Sequence, residues 1–315
     1  MCLCSGGKGR NMEKDNKVRA YFAGAVFSVL VGFSFLGVKT CVPLASTLQI
    51  LTHRYNFAFL AVIVVMLLHI WKIDIKGKPL GMLFVTGAFY VGFMILQTIG
   101  LIYATSIVSA IIFAIVPIMV KIIAAIFLKE HSSIGQTIFM FVSVASLIAM
   151  MLIGSTDVSY NWIGITILIL SSLSMAINNV LMRAVRTSYT PFEITVVTAF
   201  EGFVAFNLAT LIWGIASGTL DQYFAPFAHT EFIIATAYLG IFCILFSAQL
   251  MAFMQANMAS VNASIFGNVS TAISFVAGVV VLGEPLHAYH IICTALIIIG
   301  VIGVGMAGKK ELNKI

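Results

Sequence analysis

The sequence predicts an all-α integral membrane protein in which ten transmembrane helices form two inverted five-helix repeats. Three observations lead to this prediction. Apolar residues make up 61% of the 315 residues and charged residues only 9%, whereas soluble domains carry roughly 25% charged residues. Apolar runs of membrane-spanning length follow one another along nearly the whole chain. A pattern near the middle of the chain also recurs near its C-terminus.

The recurring pattern covers residues 103–130, YATSIVSAIIFAIVPIMVKIIAAIFLKE, and residues 257–284, NMASVNASIFGNVSTAISFVAGVVVLGE. The second copy follows the first at a constant distance of 154 residues, about half the chain. A repeat of this size on apolar sequence indicates two related membrane halves. The aligned pairs include Ser106 with Ser260, Ile111 with Ile265, Leu128 with Leu282 and Glu130 with Glu284.

Two apolar runs are too long to be single helices, and dividing them gives ten spans. Residues 79–128 would form a helix about 75 Å long, far longer than the hydrocarbon core of about 30 Å. We therefore expect a tight turn at residues 104–106 and, in the second long run, another at residues 256–257. The predicted spans are residues 19–42, 46–71, 79–103, 105–128, 134–154, 161–184, 191–216, 231–256, 258–283 and 286–307.

The distribution of basic residues predicts the orientation in the membrane. If the N-terminus lies inside, the inside segments contain 14 of the 17 Lys and Arg residues, which is the bias found in cytoplasmic loops. Both termini are therefore predicted to be cytoplasmic, in a protein of the cell membrane. Because each half has an odd number of spans, the second half is inserted upside down, as in many secondary transporters.

The predicted domain organisation follows from the repeats. Residues 1–11 lack the apolar region of a secretory signal and are expected to be an extension without function. The expected parts are a cytoplasmic N-terminal segment (1–18), a first five-helix repeat (19–154), a linker loop (155–160), a second five-helix repeat (161–307) and a cytoplasmic C-terminal tail (308–315).

Three charged side chains are predicted at membrane depth, where a charge costs roughly 2.5–3.5 kcal/mol on insertion scales. Lys121 either snorkels to the inner interface or is a cavity cation that binds a substrate carboxylate. Glu201, near the middle of its span, either pairs with a nearby cation or hydroxyl or serves in proton coupling or cation recognition. Arg54 either anchors its span at the outer interface or lines a cavity.

Polar side chains on several spans are three and four residues apart, which puts them on one face of each helix. Such stripes either hold helices together or line a polar cavity shared by the two halves. Pro117 either kinks its helix for packing or bends it during gating. The candidate cavity residues are Arg54, Tyr90, Gln97, Ser109, Lys121, Asn178, Glu201, Gln249 and Asn268.

Several of these features together resemble a known family. An arginine early in the second span (THRYNF, Arg54) precedes a block with Pro117 and the ending LKE at residues 128–130, and the block returns with LGE at residues 282–284. Over nearly its whole length the chain resembles the EamA-like branch of the drug/metabolite transporter superfamily. The resemblance implies a ten-helix transporter, often an exporter of metabolites or amino acids, with alternating access around a central cavity. Thr271 stands where the family commonly has a proline, so the helix of the second half is expected to bend differently.

The leading hypothesis is a secondary transporter that exports a small metabolite, amino acid or drug-like solute by alternating access. Its driving force is either a proton gradient or the gradient of the solute itself. The predicted partners are the solute and the lipid bilayer. Nucleic acid is not expected, because the basic residues lie between apolar runs. No phosphate-binding loop, dinucleotide fingerprint or zinc spacing occurs in the sequence, so neither a cofactor nor a metal is predicted.

Two other function classes compete with transport. A membrane-embedded enzyme acting on a lipid-linked substrate would need clustered acids or histidines, and the candidates are His287 and His290 beside Glu284. The two histidines have the spacing of ligands on a helix, but no third ligand is evident. A non-transporting sensor or assembly subunit would lack a soluble domain through which to signal. The sequence therefore favours a transporter over an enzyme.

Overall fold

The computed structural model describes residues 6–71, 73–74, 77–78, 80–104, 106–130, 132–153, 161–282 and 287–312. Within these ranges the chain is helical and has no strand, as the predicted all-α class requires. A 3₁₀ helix at Leu220–Ala228 and a π-helix at Ile241–Phe246 depart from α-geometry. The α-helices are α1 (Gly6–Cys41), α2 (Thr47–Leu67), α3 (Leu80–Tyr103), α4 (Ser106–Ala114), α5 (Val116–Phe127), α6 (Ile134–Ile153), α7 (Trp162–Val185), α8 (Pro191–Ser217), α9 (Thr230–Gly240), α10 (Ser247–Asn257), α11 (Ser260–Ser264), α12 (Phe266–Leu282) and α13 (Ala288–Leu312).

Eight helical stretches in the described part of the chain are long and apolar enough to cross a membrane. One of them, Thr230–Asn257, combines α9, the π-helix and α10. The two other predicted spans, residues 105–128 and 258–283, are each divided into two shorter helices. The first consists of α4 and α5, and the second of α11 and α12.

The two tight hairpins expected from the sequence are present. The first joins α3 to α4, and the second joins α10 to α11. Several features singled out in the sequence lie outside the described residues, namely the linker at residues 155–160, Glu284, and Thr105 in the first hairpin.

The broken helices of the two halves bend at different aligned positions. α4 and α5 separate at Ile115, two residues before Pro117, which has no N–H to donate to the carbonyl one turn earlier. α11 and α12 separate at Ile265, which aligns with Ile111, one turn before the break in the first half. Gly267, and no proline, stands two residues after this second break. The different bend expected from the absence of a proline at Thr271 is therefore observed.

Small residues hold α1 of the first half against α12 of the second half. Side-chain atoms of Phe266 occupy the space where Gly24 would carry a Cβ, and Ile273 does the same at Gly32. Ser28 Oγ donates a hydrogen bond to the carbonyl of Phe266 at 3.0 Å, and Ser274 Oγ donates one to the carbonyl of Gly32 at 2.8 Å. Close backbone approach with interhelical hydrogen bonds is the usual way in which membrane helices associate.

The end of the bundle that holds Lys78, Arg183 and Arg186 is called here the basic end. There the buried carboxylate of Glu193, 1% exposed, accepts hydrogen bonds from Lys78 Nζ (3.1 Å) and from the backbone N–H groups of Asp74 (2.9 Å) and Thr190 (2.8 Å). Thr190 caps α8 in return, because its hydroxyl accepts from the Glu193 N–H. The connection between α2 and α3 is thereby tied to the start of α8.

Candidate functional site

Arg54 lies in the third turn of α2 with its side chain directed into the bundle. It is within electrostatic range of Cys41 at the end of α1, of its neighbour Tyr55, of Tyr90 on α3 and of Cys243 in the π-helix. Its Nε is buried and has no hydrogen-bond partner among the described residues. The titratable groups nearest to the guanidinium thus come from α1, α3 and the π-helix as well as from α2.

The backbone beside Arg54 departs from regular helix geometry. Gly240 ends α9, and a Cβ at this position would collide with the backbone carbonyl of Arg54. The π-helix begins at the next residue and holds Cys243, whose Sγ–H donates to the carbonyl of Leu30 at 3.4 Å. π-helical turns are rare and are found mostly at functional sites. The close contact at Gly240 and the π-turn together bring α9 against α2 at the level of Arg54.

Glu201 lies on α8 and is directed toward α3. Its carboxylate occupies the space beside Gly87, where the Cδ atom would be 2.8 Å from an added Cβ. Among the described residues, the buried Oε2 atom has no hydrogen-bond partner and the carboxylate forms no ion pair.

Two tyrosines lie near both Arg54 and the part of the bundle that holds Glu201. The ring of Tyr55 fills the space beside Gly202, the residue after Glu201, and its hydroxyl is buried without a partner. Tyr90 follows Gly87 by three residues and therefore shares its face of α3. The term central site is used below for Arg54, Tyr55, Tyr90 and Glu201.

Aromatic rings support the central site from one side. The ring of Phe206 lies 5.0 Å from that of Tyr55, and the ring of Phe93 lies 5.7 Å from that of Tyr90. Phe206 and Phe93 belong to one buried apolar cluster with Tyr55. Because these rings pack against one another, the two tyrosines are held in place.

Asn178 takes part in helix packing. α7 donates three side-chain hydrogen bonds to backbone carbonyls of α3, which form a ladder between the two helices. The amide of Asn178 donates to the carbonyl of Thr86 at 2.8 Å. The other two bonds run from Ser174 Oγ to Phe89 (3.1 Å) and from Ser171 Oγ to Phe93 (2.8 Å). These three bonds hold α7 against α3.

The other sequence-predicted residues of the first half lie apart from the central site. Lys121 Nζ donates a hydrogen bond to Thr137 Oγ1 on α6, toward the basic end. Ser109 is buried on α4 and Gln97 is partly buried on α3. Neither Ser109 nor Gln97 makes a side-chain hydrogen bond within the described residues.

In the second half, Gln249 on α10 and Asn268 on α12 each have a buried amide nitrogen with no hydrogen-bond partner among the described residues. Asn268 follows Gly267, which faces open space where a Cβ would lie. No contact of either amide with Arg54 or Glu201 is seen among the described residues. Both amides therefore keep unused hydrogen-bonding capacity inside the bundle.

A polar network closes the bundle over α2 and α8 at the end opposite the basic end. Tyr223 of the 3₁₀ helix donates to Asn207 Oδ1 at 2.6 Å and accepts from Asn56 Nδ2 at 2.8 Å, while Asn207 Nδ2 donates to Asn56 Oδ1 at 2.7 Å. His53 Nε2 hydrogen-bonds to the carbonyl of Tyr223 at 2.9 Å. This network fixes α2 against α8, and with it the positions of Arg54 and Glu201.

The two halves meet at the basic end through a charged cluster. Arg183 on α7 donates to Glu130 Oε1 at 3.0 Å and to the carbonyl of Gln255 on α10. Glu130 Oε2 accepts the backbone N–H of Ser260, the first residue of α11, at 3.0 Å. Glu130 therefore caps a helix of the other half. The term inter-repeat clamp is used below for Glu130, Arg183, Gln255 and Ser260.

Sequence reasoning missed several residues of the site. It did not single out Tyr55, Gly87 or Gly202, although glycines in apolar helices often mark a close approach of another chain segment. The two partners in this case, Glu201 and the Tyr55 ring, come from other helices. No pattern within one helix could have paired them.

The described residues contain no group of three or more His, Cys, Asp or Glu side chains able to hold a metal ion. His287 and His290 lie close together, with ring centroids 5.7 Å apart. The third member of the proposed enzyme site, Glu284, lies outside the described residues.

The fold and the buried polar site are those of a polytopic membrane protein of the transporter class. Residues 18–152 and 162–306 each match the model of the EamA-like transporter family, so the chain belongs to that family. The chain is 33% identical over 310 residues to the uncharacterized transporter YcxC of Bacillus subtilis, with 96% of this chain and 98% of the relative covered. An uncharacterized transporter of Archaeoglobus fulgidus is 23% identical over 272 residues, with 86% of this chain and 92% of the relative covered.

A solved crystal structure has the same fold. It superposes with a TM-score of 0.77 at 12% sequence identity and covers 93% of this chain and 99% of its own. At this identity the likeness concerns the fold alone.

Proposed function

We propose that the protein is a secondary transporter that exports a small metabolite, amino acid or drug-like solute across the cell membrane. The observation that carries this proposal is the pair of oppositely charged side chains, Arg54 and Glu201, whose buried Nε and Oε2 atoms have no hydrogen-bond partner among the described residues. Charges at membrane depth are costly and mark solute or ion pathways. The membership of the EamA-like transporter family supports the same conclusion.

The proposed topology has ten spans in two inverted repeats of five, with both termini in the cytoplasm. Each pair of broken helices, α4 with α5 and α11 with α12, then counts as one span. The match of residues 18–152 and 162–306 to one family model supports two related halves. Broken helices near the membrane midplane are a recurring feature of solute sites in secondary transporters.

The proposed mechanism is alternating access around the central site. The inter-repeat clamp would close the basic end. It joins Glu130, which follows α5 in the first half, to α7 and to the hairpin between α10 and α11 in the second half. Export then requires the clamp to open when the opposite end closes.

Two driving forces are compatible with this mechanism. Glu201 is the carboxylate among the four residues of the central site, so it would carry the proton if transport is proton-coupled. If the solute gradient alone drives transport, flux is independent of an imposed pH gradient. Measuring flux with and without such a gradient separates the two.

The test is flux through purified protein reconstituted in liposomes. The labelled solutes would be amino acids, nucleotide sugars, purines, sugars and cationic drugs, each measured as counterflow against the same unlabelled solute. Saturable counterflow of at least one class supports transport. Protein-independent or non-saturable uptake throughout the panel would contradict it and favour an enzyme or a sensor.

A further inference from the structure

We propose that the 3₁₀ helix Leu220–Ala228 is the gate at the end of the bundle opposite the basic end, called here the far end. It closes this end by binding α2 through Tyr223 and opens it by releasing α2. The inference rests on the proposed alternating-access transport and adds the residues that close one of the two ends.

One face of α2 binds the 3₁₀ helix along its first three turns. Gln49, His53 and Asn56 are four and three residues apart and therefore share this face. Gln49 Nε2 donates to the carbonyl of Gln222 at 2.9 Å, and His53 Nε2 lies 2.9 Å from the carbonyl oxygen of Tyr223, which can only accept. Asn56 Nδ2 donates to the Tyr223 hydroxyl at 2.8 Å. The term far-end latch is used below for Gln49, His53, Asn56 and Tyr223.

The far-end latch joins the two halves of the chain. α2 lies in the first region that matches the family model, and the 3₁₀ helix lies in the second. The Tyr223 hydroxyl accepts from Asn56 in the first half and donates to Asn207 in the second half at 2.6 Å. At the basic end, Glu130 of the first half bonds to Arg183 and Ser260 of the second. The halves are thus hydrogen-bonded to each other at both ends, and alternating access requires each set of bonds to break in turn.

The far-end latch extends from the start of α2 to the level of the central site. Asn56 comes two residues after Arg54, which places it about 3 Å further along the helix axis. The ring of His53, the residue before Arg54, packs against the rings of Tyr223 at 4.9 Å and of Phe227 at 4.7 Å. Release of the 3₁₀ helix therefore uncovers α2 down to the level of Arg54.

The 3₁₀ helix has the features of a segment that detaches at low cost. It spans nine residues, whereas 3₁₀ runs longer than three or four residues are uncommon. Pro226 is buried, Tyr223 and Phe227 are half-buried, and the other residues of this helix are exposed. Segments with little buried apolar surface open most easily and are the ones that move. The latch bonds join amide, hydroxyl, imidazole and carbonyl groups, and water replaces such partners when the bonds break.

We expect the 3₁₀ helix to stay with α8 when it parts from α2. Gly218, in the left-handed conformation with a φ of 68°, connects the end of α8 to it. The N–H of Thr219 donates to the carbonyl of Gly214 at 2.9 Å, and Leu220 packs against Gly214. These contacts lie within the second half, whereas those of the far-end latch cross between the halves.

A cavity beside the far-end latch provides positions on both sides of this boundary. Its volume is about 210 Å³, and its lining includes Leu48 of α2, Trp213 of α8 and Gln222 of the 3₁₀ helix. The side chains of Leu48, Trp213 and Gln222 make none of the latch bonds described above. Cysteines at these three positions can therefore report on the far-end latch or lock it without removing one of its bonds.

The first experiment measures opening of the far-end latch without any solute. The full-length L48C variant in detergent is reacted with a bulky water-soluble maleimide, and labelling of residue 48 is followed by mass spectrometry of its peptide. Adding Y223F removes the hydroxyl that joins Asn56 to Asn207 and should raise the labelling rate at least threefold. The matched control is Y103F, at an exposed tyrosine at the end of α3, and it should leave the rate unchanged. Equal rates in L48C and L48C/Y223F would overturn the inference.

The second experiment locks the far-end latch in proteoliposomes. A flexible bismaleimide bridges L48C to Q222C across the two halves, or W213C to Q222C within the second half. Since all three positions line the same cavity, the reagent occupies the same space in both pairs. Crosslinking L48C/Q222C should lower saturable counterflow of the panel solutes at least tenfold. Crosslinked W213C/Q222C and the three treated single variants should keep at least half of their counterflow.

The outcomes separate this inference from the proposed function. If crosslinked L48C/Q222C transports like the untreated double variant, or if both crosslinked pairs lose transport equally, the inference is wrong and the transport proposal stands. If no panel solute shows saturable counterflow in the wild-type protein, the transport proposal fails. The labelling rates of L48C and L48C/Y223F then still decide whether Tyr223 holds the 3₁₀ helix closed.

Discussion

The carboxylate of Glu130 accepts the backbone N–H of Ser260, which lies 130 residues later in the chain, at 3.0 Å. The bond joins the end of a broken helix in one half to the start of a broken helix in the other. Its effect is strengthened by Arg183, which donates to the second carboxylate oxygen. Because both residues of this bond lie in the aligned copies of the repeat, the two halves contact each other through corresponding parts of their sequences.

Replacing Glu130 with Gln should loosen the inter-repeat clamp. The variant keeps the shape of the side chain but loses the charge, and hydrogen bonds to charged groups contribute about 1.5–3 kcal/mol. We expect amide hydrogen exchange at the start of α11 to accelerate roughly tenfold or more, measured by mass spectrometry of a peptide covering residues 256–265. E231Q is the matched control. Unchanged exchange in this peptide would show that Glu130 does not hold α11.

Replacing Gly87 with Ala should impair transport without unfolding the protein. The added Cβ would lie 2.8 Å from Cδ of Glu201, so the carboxylate must move away from α3. G81A on the same helix is the control, because nothing lies within 4 Å of a Cβ at that position. It should keep full flux and gain up to about 1 kcal/mol from better helix propensity. Equal flux in the two variants would mean that the position of the Glu201 carboxylate does not matter.

The sequence treats Lys121 and Glu201 as equivalent candidates, but the structure distinguishes them. Lys121 donates a hydrogen bond to Thr137, whereas Glu201 Oε2 has no partner within the residues that the structure describes. We expect E201Q to lower flux at least tenfold across pH 5–8 and K121Q to change it by less than about twofold. Flux is measured in proteoliposomes at matched protein density. Wild-type flux in E201Q over this pH range would exclude Glu201 from the pathway.

Asn178 should matter for stability rather than for solute selection. N178A removes the donor to the carbonyl of Thr86, and such interhelical bonds in membrane proteins contribute about 0.6 kcal/mol on average and up to about 1.7. We expect N178A to unfold at a lower concentration of denaturing detergent than the wild type and to keep the wild-type order of solute preference. If N178A has wild-type stability but an altered solute preference, Asn178 lines the cavity instead.

Much of the fold is predictable because it depends on properties of single segments. Composition places the chain in the membrane, helix length sets the positions of the two hairpins, and the proline at position 117 predicts a break that occurs at Ile115. The different bend in the second half was also predictable, since Thr271 replaces a proline there. The position of that bend at Ile265 was not predictable from the sequence. Gly267, two residues later, lies beside open space, and this is visible only in the folded chain.

The sequence by itself determined the class of protein, its two halves and the set of polar residues that are costly in a membrane. These follow from composition, periodicity and repetition along one chain. Only the tertiary structure decided which of those polar residues are satisfied. Asn178 and Lys121 have partners on other helices, whereas Arg54 Nε and Glu201 Oε2 have none in the described part of the chain. The physical reason is that a buried group is compensated by its neighbours in space, and these neighbours come from helices far apart in the sequence.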